Sequence, residues 1–92
     1  MADILVTRTA ANTYRVVVRD GGSETQHVVT LTDAIAERYA PGQAPEALIQ
    51  ASFEFLLERE SKESILREFD LPVIERYFPE YPRKIAGLVG GR

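Results

Sequence analysis

Tyr14-Arg15-Val16-Val17-Val18-Arg19, then Asp20-Gly21-Gly22-Ser23, then Glu24-Thr25-Gln26-His27-Val28-Val29-Thr30-Leu31 is the stretch that decides the fold. The first block is rich in β-branched residues, whose stiff side chains suit an extended, half-buried backbone. The second is a tight-turn signal, because glycine accepts the positive φ that two-residue hairpin loops demand. The third alternates, and is expected to return antiparallel to the first. Upstream, Ile4-Leu5-Val6 is a short apolar run that reads as a further strand, joined to the hairpin through a turn at Ala11-Asn12.

Downstream the pattern turns helical, with clear punctuation. Thr32 or Asp33 caps a helix that ends near Tyr39, since Pro41 disfavours helical geometry at Ala40 and Gly42 suits a C-terminal cap. Pro45 fits the first turn of the next helix and Glu46 complements its dipole. In that helix Leu48, Ile49, Ser52, Phe53, Leu56 and Leu57 follow the spacing of a buried stripe, while Gln50, Glu54 and Glu58 fall opposite. Ser61 is expected to cap a third helix containing Ile65, Leu66 and Phe69. Asp70 is expected to cap a fourth, with Pro72 in its first turn and its end at Phe78. Pro82 opens a last helix through Ile85 and Leu88. The expectation is one α+β domain: an N-terminal antiparallel β-meander of two to three strands over residues 3–32, four or five helices packed on it over 33–89, and a frayed tail at 90–92.

The chain's 92 residues suffice for one core and not for two. It holds no cysteine, so no disulfide framework, thiolate nucleophile or cysteine-ligated metal site is available. Met1 to Val6 carries Asp3 and has neither a basic n-region nor an apolar h-region, and the apolar clusters are far too short to span a membrane. A cytoplasmic protein is the expectation. The net charge of −3 is concentrated in residues 33–60, where two arginines face six acids. There is no dense basic stripe of the kind nucleic-acid binders carry.

Few residues suggest chemistry. His27 is the only histidine, which excludes a histidine pair on a metal, and in a strand beside Val28 and Val29 it reads as structural. Ser23, Ser52, Ser61 and Ser64 lack a nucleophile context. Glu54 with Glu58, and Glu60 with Glu63, read as solvated-face pairs rather than a catalytic dyad. No catalytic residue, metal site or cofactor is expected, and the chain reads as a non-enzyme. The most distinctive local feature is Tyr77-Phe78-Pro79-Glu80-Tyr81-Pro82, with Arg76, Arg83 and Lys84 beside it. Tyrosine with arginine is a frequent ingredient of binding hot spots. Arg76, Tyr77, Tyr81 and Arg83 are therefore the candidate surface, and another protein or a second copy of the chain the candidate partner.

Two resemblances bear on this reading. Phe55-Leu56-Leu57-Glu58-Arg59-Glu60, Ser64-Ile65-Leu66, Phe69-Asp70-Leu71, Ile74 and Tyr77-Phe78-Pro79-Glu80-Tyr81 resemble the C-terminal half of a family of short uncharacterised bacterial proteins. That implies a bacterial protein and assigns no functional residues. Gln26-His27-Val28-Val29-Thr30-Leu31-Thr32, followed by two helices joined around Gly42, is similar to ribbon-helix-helix repressors and antitoxins. That resemblance implies an alternative function, a dimeric DNA-binding antitoxin or regulator whose strand ribbon enters the major groove, with Gln26, Thr30 and Thr32 placed to read bases.

Overall fold

A computed structural model describes residues 2–90. Three antiparallel strands, β1 (Asp3–Ala10), β2 (Thr13–Asp20) and β3 (Ser23–Thr30), precede helices α1 (Asp33–Tyr39) and α2 (Pro45–Leu57). A 3₁₀ turn (Lys62–Ser64), strand β4 (Glu68–Asp70) and helices α3 (Val73–Tyr77) and α4 (Tyr81–Gly90) follow. The strands form one sheet in the order β1-β2-β3-β4. The fold is α+β, with a four-stranded mixed sheet and four α-helices among the described residues. The tail expected at 90–92 lies, beyond Gly90, outside them.

The β2–β3 hairpin closes through Gly21 and Gly22, at φ 65° and 83°, both in the left-handed region that its loop requires. Asp20 pairs with Ser23, and Arg19 Nε donates to Glu24 Oε1 at 3.1 Å across the next rung. The resulting register places Tyr14, Val16, Val18, Thr25, His27 and Val29 on one face, all buried. Asp3, Leu5, Arg15, Arg19, Gln26 and Val28 are exposed on the other. β1 joins by antiparallel pairing with β2, with a register shift between Arg8 and Ala10.

Thr32 caps α1 as expected, its Oγ1 accepting from Ile35 N at 3.3 Å. In α2, Pro45 sits at the N-terminus. Leu48, Ile49, Ser52, Phe53 and Leu56 are buried, but so are Ala51 and Phe55. The stripe is wider than a one-sided surface helix needs because α2 lies between the sheet and α4. Phe53 meets His27 and Phe69 on the sheet side, at ring-centroid distances of 5.3 and 6.1 Å. Phe55 meets Tyr81 and Phe78 on the other, at 5.3 and 5.8 Å.

The expected third helix is corrected. Only Lys62–Ser64 forms a 3₁₀ turn, and the chain then runs extended into β4, parallel to β3 with Val29 opposite Phe69. Ser61 makes no side-chain cap bond, and Asp70 ends the strand instead of capping a helix, α3 starting behind Pro72. The physical reason is the open edge of β3. Val28 N donates to the Arg67 carbonyl at 2.7 Å and Leu71 N to the Thr30 carbonyl at 3.0 Å. A helix over residues 61–69 would leave those strand groups without their partners.

The hairpin yields a direct test. A Cβ at Gly22 would meet nothing within 4 Å, so strain at φ 83° is the only structural cost of Gly22→Ala. We expect a loss of about 1 kcal/mol in urea unfolding. An unchanged midpoint would contradict the positive-φ turn.

Candidate functional site

Four segments converge beneath the C-terminal end of α2 to enclose an apolar groove of about 250 Å³. Leu56 and Glu60 come from the end of α2 and just beyond it, Ser64, Ile65 and Leu66 from the following loop, Phe69 from β4, and Val73, Ile74, Tyr77 and Phe78 from α3 and its exit. The floor is core: Leu56, Ile65, Phe69 and Ile74 are each under 10% exposed. The rim is open, with Leu66 at 46% and Tyr77 at 66% exposure.

His27 holds the loop wall of the groove. Its Nδ1 lies 2.8 Å from the Leu66 carbonyl, which can only accept, so Nδ1 carries the proton. In the neutral ring Nε2 then accepts from Thr25 Oγ1, also at 2.8 Å. The ring is 1% exposed, and both of its nitrogens are engaged in hydrogen bonds. Burial pushes its pKa below the ordinary 6.5, aided by the charge of Arg67 and opposed by the Leu66 carbonyl.

Glu60 is the one charged side chain lining the groove. It is half-buried, and burial pushes its carboxyl above the ordinary carboxylate value. Neighbouring cations are committed elsewhere. Arg59 stacks 3.7 Å from the Phe55 ring centroid, donates to the Phe55 carbonyl at 2.9 Å and pairs with Glu80 Oε2 at 3.2 Å, fastening α2 to the start of α4. Lys62, itself buried, donates to the Asp20 carbonyl at 3.1 Å and pairs with Glu63 at 2.9 Å.

The four candidate surface residues separate. Tyr77 stands on the groove rim, whereas Arg76 and Arg83 are exposed but do not line it. Tyr81 is corrected to the core: it is 0% exposed, its hydroxyl lies 2.6 Å from Ser52 Oγ, and its ring packs edge-on to Tyr39 at 5.2 Å. α4 begins at Tyr81, which directs that ring inward between α1 and α2. Burial raises the Tyr81 pKa far above its usual value. Tyr39, bonded through its hydroxyl to Glu75 Oε1 at 2.7 Å, is pushed up to about 12 by burial and by that carboxylate. The sequence did not single out Glu60, Leu66 or Val73 as a site.

The residues expected to read DNA occupy three different settings. Gln26 is exposed, Thr30 is half-buried and Thr32 is engaged as the α1 cap. β3 is hydrogen-bonded to β2 along one edge, and β4 pairs with its other edge from Val28 to Thr30, within the segment that a ribbon-helix-helix dimer would use for its intersubunit ribbon. Among the described residues, no group of three or more His, Asp or Glu side chains is arranged to hold a metal ion, and no helix is long and apolar enough to cross a membrane. No protein-family model, curated protein or solved structure matches the chain.

The depressed His27 pKa sets a pH dependence. The unfolded histidine, at 6.5, takes up a proton that the folded ring resists. Its stabilising contribution is full above that value and is lost as pH falls through the folded pKa. Glu60 gives the opposite slope, because a raised carboxyl pKa favours the fold as pH falls. As pH falls from about 7.5 to 5.5 the urea midpoint of the wild type should decline more than that of His27→Gln, which is less stable throughout. An equal slope in the variant would show that His27 is not its source.

Proposed function

We propose that this chain is a non-enzymatic protein-interaction module, and that the groove beneath the end of α2 receives a segment of its partner. The observation that carries the reading is an apolar groove with two large exposed side chains, Leu66 and Tyr77, on its rim. Such side chains gain from removal from water, and clustered around a concavity they provide an anchor site. The buried state of His27 and its two hydrogen bonds support a structural rather than a catalytic role.

The test separates surface from core. Tyr77→Ala and Leu66→Ser should each stay within about 0.5 kcal/mol of the wild-type stability. Both should lose at least tenfold in affinity for a partner captured by the wild-type protein, since anchor residues dominate binding energy. Tyr81→Ala should instead cost about 3–5 kcal/mol of stability, as truncation of a buried aromatic does. Retention of the partner by both rim variants, with folding intact, would remove the groove from the interface.

A further inference from the structure

The groove carries information about what it binds. Its walls are apolar apart from the Glu60 carboxylate and the hydroxyls of Ser64 and Tyr77. Ser64 Oγ is already engaged with Ser61 Oγ at 3.2 Å. Arg59 and Lys62, the basic residues on either side in sequence, are spent on Glu80, Phe55, Glu63 and Asp20. Among the described residues the Glu60 carboxylate has no cation within ion-pair distance. A half-buried carboxylate without a counter-charge is disfavoured, and a cation brought in by a ligand would relieve it.

Size and shape argue for a peptide rather than a metabolite. A volume of about 250 Å³ accepts one large side chain. Small-molecule pockets usually run from about 300 to 1,000 Å³. The apolar surface also rises onto the exposed rim at Leu66 and Tyr77, where flanking residues of a chain would lie.

We propose that the groove takes a partner peptide presenting one large apolar side chain with a lysine or arginine within two residues of it, the apolar group seated on Leu56, Phe69 and Ile74 and the cation paired with Glu60. This rests on the groove being the interaction site. Electrostatic complementarity at a partly buried pair sets specificity as well as affinity, so peptides with glutamate at the cationic position are rejected.

The experiment is selection from a random peptide library displayed on phage against the full chain, followed by titration of the synthetic winners. Enriched peptides should join a large apolar residue to Lys or Arg within two positions. Replacing that cation with norleucine should weaken binding about tenfold to the wild-type protein and hardly at all to Glu60→Gln. Glu60→Gln removes a charge that burial already disfavours, so it should fold normally. Enriched peptides that are neutral or acidic there, or that bind Glu60→Gln as tightly as wild type, overturn the proposal. If those peptides still lose binding to Tyr77→Ala, the groove stands and only its charge preference fails. If no enriched peptide depends on Tyr77, or none enriches, both readings fail. A stable homodimer that seats its own Leu88 and Lys84 in the groove, and dissociates on Leu88→Ser, would also overturn it.

Discussion

Pairing along the second edge of β3 is the constraint on which the rest of the molecule depends. A strand between two partners must satisfy every N–H and C=O on both sides, and β2 satisfies only one. On the other edge, the chain at 66–71 supplies partners for the C-terminal part of the strand, from Val28 to Thr30, through Arg67, Leu71 and the short run opposite them. His27 adds a side-chain tie at the same place, donating to the Leu66 carbonyl from inside the core. Because the segment is extended, its side chains alternate: Phe69 and Leu71 go inward, Glu68 and Asp70 outward. That alternation brings Phe69 under α2 and leaves Leu66 at the surface. The groove is the space between this extended segment and α3.

α2 converts that edge into a closed core. With the sheet on one side and α4 on the other, it buries an unusually broad face, and the aromatic contacts through Phe53 and Phe55 join both sides. Aromatic pairs in tilted or edge-on geometry add to the area they remove from water. Arg59 then ties the end of α2 to Glu80, next to the Tyr81 ring that fills the space beside Ser52. Glu60 is left at the mouth of the groove because the basic residues on either side of it are used in holding the structure together.

The local signals in the sequence were strong where the structure is local. Asp20-Gly21-Gly22-Ser23 made the hairpin legible, and Thr32 and Pro45 marked two helix starts, because each acts on backbone within a few residues. β4 was not legible for the opposite reason. Its three residues gain their structure from a strand about forty positions earlier, while Ser61 and the Ile65, Leu66 and Phe69 spacing favoured a helix locally. Tyr77 and Tyr81 lie four residues apart in the same Pro-framed cluster, and composition alone does not tell the exposed ring from the buried one. The groove was invisible because its four walls come from separate segments, brought together only by the parallel pairing. Glu60 read as one acid on an acidic helix face, and its isolation in an apolar setting is a property of the fold.

The most direct measurement is the set of nuclear Overhauser contacts across residues 61–71 in the isotope-labelled protein. The account predicts interstrand contacts from the Val28 amide to the Arg67 and Glu68 α-protons, a slowly exchanging Leu71 amide, and a His27 ring protonated at Nδ1. Continuous i to i+3 contacts through 62–69, with a freely exchanging Val28 amide, would mean that the segment is a helix and that neither β4 nor the groove exists.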